Sequence, residues 1–164
     1  MKISLREATA GDYKNLFELF DEIDTLHRDN LPHRFQKASG PAREQNYYSN
    51  LIADENVGFF VAEMGDELVG FGRVIVSDTP AFPIMVPRHY AIVDSLVVKS
   101  GFQKRGIGQM LMEKMQEWAI AKGATSIELN VYEFNETAIA FYEGLGYQTF
   151  SRKMGKELIS KHRE

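Results

Sequence analysis

Gln103-Lys104-Arg105-Gly106-Ile107-Gly108 stands between an apolar run, residues 90–99, and a stretch carrying Ile107, Met110, Leu111, Met115, Trp118 and Ala119. The run reads as a buried strand and the stretch as an amphipathic helix, because its apolar residues recur at helical spacing. The hexapeptide is then the turn into a helix N-terminus. First-turn N–H groups lack intrahelical acceptors and the helix dipole is positive there, so such a turn attracts anions. Glycine at 106 and 108 removes the Cβ that would hold an anion off the backbone. Lys104 and Arg105 add positive charge at the mouth.

Three phosphate-binding patterns compete for this segment. Gly101 and Gly106 have the spacing of a Walker loop, but Ile107 stands where the lysine is required. A dinucleotide fingerprint needs a third glycine, and Leu111 occupies its place. A pyrophosphate cradle of the form Q/R-x-x-G-x-G is matched at every defined position.

Outward from the cradle, the chain alternates strands and helices. Strands are expected at 3–8, 57–64, 67–76, 90–99, 126–132 and 147–158. Helices are expected at 9–26, 41–53, 106–122 and 135–145. Gly65-Asp66 marks a hairpin, Thr9 and Asn135 are N-cap residues, and Gly123 and Gly146 end helices. Residues 27–40 and 78–89 read as loops, and 160–164 as a charged tail. The order β-α-α-β-β-β-α-β-α-β fits an α/β fold with one mixed sheet and helices on both faces. The strands at 90–99 and 126–132 should be parallel neighbours with a right-handed crossover.

At 164 residues the chain is expected to form a single domain, 1–164. Nineteen Lys and Arg against 23 Asp and Glu give a net charge of −4, which offers no general footprint for nucleic acid. The absence of cysteine excludes disulfides, thiolate zinc sites and a cysteine nucleophile. His27, His33 and His89 lack ligand spacing on one element, so no metal site is expected. No apolar run reaches the ~18 residues of a membrane span, and the N-terminus does not read as a signal peptide. A cytoplasmic protein is expected.

Downstream of the cradle stands LNVYEFNETAIAFYEGLGYQTF, residues 129–150. It places an Asn before a helix, then a Phe-Tyr pair, then a Gly-Tyr turn. With IVDSLVVK (92–99) before the cradle and QMLMEKMQEWAIAKG (109–123) after it, the chain resembles the GNAT superfamily of N-acetyltransferases. The resemblance covers residues 2–158.

The resemblance implies acetyl-CoA as co-substrate and transfer of its acetyl group to a primary amine of a small molecule or peptide. It implies that the pyrophosphate sits on the amides of Arg105, Gly106, Ile107, Gly108 and Gln109, with Gln103 and Lys104 completing the cradle. The 90–99 strand would part from the 126–132 strand, and the pantetheine would pair with the backbone of Leu96, Val97 and Val98. Asn135 would bind the pantetheine arm or its phosphate region, and Tyr142 would protonate the leaving sulfur. An amine near pKa 10.4 must lose a proton before it attacks. Asp94, a carboxylate inside an apolar strand, is the residue chosen to orient or deprotonate it, with Glu63, Glu128 and Glu133 as alternatives. The segment His27-x4-Pro32-x2-Phe35 resembles the acceptor-side loop of some bacterial members. Loops 27–46 and 78–89 would set acceptor choice, and a homodimer is an option the resemblance leaves open.

Bland roles compete for the same side chains. Asn135 is also an ordinary helix cap, Tyr142 falls at helical spacing with Ala138, Ile139 and Leu145, and Asp94 suits a solvated strand position. The methionines and Trp118 read as core or subunit surface. The whole chain has a second reading, a non-catalytic acyl-CoA sensor with the same fold.

Overall fold

Gly65 adopts φ 63° between β2 (Val57–Met64) and β3 (Glu67–Asp78), closing the expected hairpin. β1 (Ile3–Glu7) pairs antiparallel with β2, and β3 antiparallel with β4 (His89–Val98). β4 pairs parallel with β5 (Ile127–Leu129). The sheet therefore runs β1-β2-β3-β4-β5. The computed structural model describes residues 2–159 and divides at Asn130/Val131 into two compact units. This sheet and three helices make the first.

One sheet face carries α1 (Phe17–Asn30) and α2 (Gln45–Ala53). Its core holds Leu16, Leu19, Phe20, Tyr48, Phe59, Val61, Phe71 and Val97. Each such side chain contributes about 1.5–3 kcal/mol when fully buried. The other face carries α3 (Ile107–Ala121), whose Leu111, Met112 and Met115 are fully buried. The strands admit α3 by using glycine beneath it. A Cβ at Gly72 would lie 2.7 Å from Met115 Cε, and one at Gly58 2.9 Å from Trp118 Cδ2. Met112, Met115 and Trp118 are thus packing residues.

Several expected boundaries shift. Two single 3-10 turns, Ala10–Asp12 and Lys14–Leu16, precede α1, which extends to Asn30. At this entry Thr9 is the N-cap of a capping box, in which Asp12 accepts the Thr9 N–H at 2.7 Å. The second helix begins at Gln45 rather than 41. β5 is only three residues long, because β4 leaves it after Val93.

In the second unit, Asn135 caps α4 (Glu136–Gly144) by accepting the Ala138 N–H at 3.2 Å. Gly146 follows at φ 98°. Residues 147–158, expected as the last strand, form no strand. Phe150, Met154 and Leu158 stand 79–88% exposed. In a strand these three would share a face, but Arg152 and Lys156 interrupt it and Gly155 weakens the backbone further, so the segment has no continuous apolar face. The tail at 160–164 lies outside the described residues.

Candidate active site

Gly106 is the N-cap of α3 in the left-handed region, φ 82°, a conformation that favours glycine. Lys104 also has positive φ, 63°. The first helical bond runs from Met110 N–H to Gly106 C=O at 3.0 Å. The amides of Ile107, Gly108 and Gln109 therefore have no intrahelical acceptor. A Cβ at Gly106 would meet nothing within 4 Å, so the cradle opens outward. Gln103 Nε2 donates to Val98 C=O at 3.3 Å, tying this loop to the end of β4. The Arg105 guanidinium lies 5.0 Å from the Phe102 ring centroid, and Lys104 carries no ion pair among the described residues.

β4 departs from β5 beside this loop. Their ladder comprises Ala91–Ile127, Ile92–Glu128 and Val93–Leu129 and goes no further. On the other side β4 stays paired with β3 as far as Val98–Gly70. Lys99 N–H donates to Val69 C=O at 2.8 Å, and antiparallel bonding alternates, so Val97 and Ser95 also bond to β3. The peptide groups of Leu96 and Val98 consequently point to the edge that β5 has vacated. Sequence reasoning treated Leu96, Val97 and Val98 alike; alternation assigns the open edge to the first and last, while the Val97 side chain is buried in the core.

The parting coincides with a β-bulge. Arg73 pairs with Ser95 and Val74 with Val93, leaving Asp94 as the extra residue. Val97 lies on the α1–α2 face with Phe71. Val93 pairs with Val74, which shares the α3 face with Gly70 and Gly72. Residues four apart in a regular strand share a face, so the bulge is what switches them. It delivers Asp94 to the α1–α2 face, where the Asp94 carboxylate accepts from Arg73 Nη2. Arg73 Nη1 donates to the Tyr47 hydroxyl at 3.0 Å.

A groove of about 620 Å³ opens between α1 and the α1–α2 loop, within the size range of small-molecule sites. Its lining includes Phe17, Asp21, Asp24, Arg28, Phe35 and Lys37. Phe20, Arg43 and Tyr47 line both this groove and a small inner cavity reaching Arg73 and Ser95. Tyr13 OH donates to Arg43 C=O at 2.6 Å, and the Arg43 guanidinium pairs with Asp24 and sits 4.7 Å from the Phe20 ring centroid. His27 stacks on Phe35 at 5.2 Å. Burial lowers the His27 pKa, with Asp24 opposing and Arg43 assisting.

Of the alternative carboxylates, Glu63 is tied to Arg6 at 3.1 Å and Glu128 faces Arg88 at 3.5 Å. His89 Nδ1 lies 2.8 Å from Asp78, and His33 stands apart in its loop. No metal-binding cluster exists among the described residues. No described helix is long and apolar enough to cross a membrane. In the second unit, Tyr142 packs edge-on against Phe141 and Tyr147, at 5.3 and 5.9 Å. Burial first, then the neighbouring Tyr147, pushes the Tyr142 phenol up to about 12. Glu133 is exposed, opposite Arg152 at 3.5 Å.

Arg73, Tyr47 and Arg43 were missed by sequence reasoning. Arg73 had a usable signal, an arginine inside the apolar strand LVGFGRVIV, the same local inconsistency that marked Asp94.

A family profile described as the acetyltransferase (GNAT) family matches residues 20–147. The chain belongs to that family. An uncharacterized N-acetyltransferase of Methanocaldococcus jannaschii is 33% identical over 102 residues, 62% of this chain. The chain spans only 44% of that relative's length over the match. A thialysine N-epsilon-acetyltransferase of Bos taurus is 26% identical over 157 residues, 93% of this chain and 88% of the bovine protein. Among solved structures, a tetramutant of a Bacillus halodurans protein superposes with a TM-score of 0.88 at 26% identity. That match covers 94% of this GNAT chain and 99% of the other.

Proposed function

We propose that this protein is a single-domain acetyltransferase, cytoplasmic, that moves the acetyl group of acetyl-CoA to a primary amine of a small molecule or peptide. The observation that carries the reading is the open edge of β4 beside an open helix N-terminus. Leu96 offers its peptide group and Val98 its N–H at the edge, the Val98 carbonyl being taken by Gln103, and Ile107, Gly108 and Gln109 offer unused amides at the cradle. An extended, pyrophosphate-bearing thioester needs both. The family profile runs unbroken from residue 20 to 147, through both units, which supports one domain.

In this reading the amides of Arg105 to Gln109 bind the pyrophosphate, with Lys104 adding charge. Bound acetyl-CoA supplies an activated acyl group. The Leu96 or Val98 N–H donates to the thioester carbonyl, where negative charge develops. Asp94 accepts a proton from the acceptor ammonium, directly or through water, so that the neutral amine attacks. Asn135 contacts the cofactor through groups its capping bond leaves unused. Tyr142 donates toward the departing sulfur. Its phenol, near 12, keeps its proton throughout the neutral range, the state a donor requires.

The bovine relative's name specifies an ε-amine as acceptor, which supports a compact aliphatic amine of an amino acid as a first choice here. The groove beside α1, with aromatic walls and charges of both signs, suits a ligand carrying both charges. Incubation with acetyl-CoA and a panel of amino acids, diamines, aminoglycosides and peptides tests this, with mass spectrometry of the acceptors as readout. Acetylation concentrated on side-chain amines of amino acids is expected. An unmodified panel would refute the transferase reading.

A further inference from the structure

Arg73 stands in an aromatic layer where an apolar side chain would be expected. Its side chain is 14% exposed and lies in an inner cavity with Phe20, Phe59 and Phe71. Its Nε is buried without a hydrogen-bond partner. A buried donor left unpaired costs roughly 1–3 kcal/mol, and an apolar side chain would fit this aromatic layer without it. What the guanidinium does have is two partners on different elements. Nη1 reaches the Tyr47 hydroxyl on α2, in the wall of the acceptor-side groove, and Nη2 reaches the Asp94 carboxylate at the bulge. Asp94 is half exposed and would otherwise turn freely at the mouth of the open edge.

We propose that Arg73 is a positioning residue: the Tyr47–Arg73–Asp94 chain holds the carboxylate at the β4 bulge and couples its orientation to the groove beside α1. The planar guanidinium fork fixes direction as well as charge, which a lysine ammonium does less well. Partial exclusion from water strengthens the pair beyond that of an exposed one. An acceptor lying against Tyr47 would meet Asp94 already aimed at the end of β4. The inference rests on the reading that Asp94 serves the acceptor amine, and the test separates the two.

The experiment measures kcat and KM for both substrates in Asp94→Asn, Arg73→Met, Arg73→Lys, Tyr47→Phe and the Asp94→Asn/Arg73→Met pair. Asp94→Asn is expected to lower kcat at least tenfold. Arg73→Met should do likewise with the acetyl-CoA KM within about twofold, and Arg73→Lys should recover part of the loss. In the Asp94→Asn background, Arg73→Met should cost nothing further in kcat, because its effect runs through a carboxylate no longer present. Multiplying losses in the double variant, or an unchanged kcat in Arg73→Met, would overturn the inference while leaving Asp94's role intact. An unchanged kcat in Asp94→Asn would overturn the underlying reading instead. If Arg73→Met does not fold, Tyr47→Phe decides: it removes only the hydroxyl of a half-exposed residue, and it should lower kcat in the parent and not in Asp94→Asn. Equal loss in both backgrounds, or none in the parent, would overturn the chain.

Discussion

Val93 and Leu129 form the last pair of the parallel β4–β5 ladder, although β4 continues to Val98 on its other side. The peptide groups of Leu96 and Val98 are thereby left facing an open edge, while Val97 and Lys99 remain bonded to β3. Amide exchange followed by NMR should show this alternation. Leu96 and Val98 should exchange at least about tenfold faster than Val97, and acetyl-CoA should slow those two selectively. Uniform protection along 95–99 would mean that no such edge exists.

Gly108→Glu should remove cofactor binding with little cost to the fold. Position 108 lies in the first turn of α3, where glutamate has a better helix propensity than glycine and its charge suits the dipole. The same charge and bulk stand where the pyrophosphate belongs. Thermal shift should show a parent stabilised by acetyl-CoA, about 2.7 kcal/mol at 100 times the dissociation constant. The variant should melt near the unliganded parent and respond at least tenfold more weakly to acetyl-CoA. An equal response would remove the cradle assignment.

The glycine turn into α3, the hairpin and the parallel β4–β5 pairing were legible in the sequence because each is written locally, in glycine positions and apolar spacing. The bulge at Asp94 was not. It depends on which residue of β3 faces which residue of β4, a register set across more than 20 positions of chain. Arg73 stood out as an arginine in an apolar strand, but its partnership with Tyr47 was invisible for the same reason, since nothing near either residue announces the other. The opposite error fell at 147–158, where aromatic and apolar residues suggested a strand that local propensity alone cannot sustain without a paired neighbour.

Asp12 offers a stability test remote from the chemistry. Its carboxylate accepts both Nη groups of Arg6, at 2.8 and 2.9 Å, and this, with the Thr9 N–H, lowers its pKa against the opposing effect of burial. A carboxylate lowered in the folded state stabilises the protein above its unfolded value, near 3.9, and that stabilisation is lost as pH falls through the folded value. Asp12→Asn should therefore cost about 1–2 kcal/mol at pH 7, the lower range being apt because Arg6 is 37% exposed. Denaturant curves for parent and variant should converge as pH falls below about 4. A difference independent of pH would assign the effect to packing.

Tyr142→Phe keeps the ring and removes the hydroxyl. Stability should fall by no more than about 1 kcal/mol, the net value of one hydrogen bond. Positioned acid catalysis is worth about 10²–10⁴-fold, and water substitutes in part, so kcat should fall at least about tenfold with acetyl-CoA affinity nearly constant. Equal loss of affinity and turnover would make Tyr142 a cofactor-positioning residue. An unchanged kcat, with chemistry rate-limiting, would leave it a packing residue.

Release of free CoA thiol from acetyl-CoA, measured with and without amine, tests the central claim most directly. The open β4 edge and the cradle would hold the thioester in both cases, and only a neutral amine completes the reaction. Thiol release should therefore rise with amine concentration to saturation, and should fall at least about tenfold in Asp94→Asn. Tight acetyl-CoA binding with thiol release that no amine increases would contradict transfer and leave an acyl-CoA-binding protein without turnover.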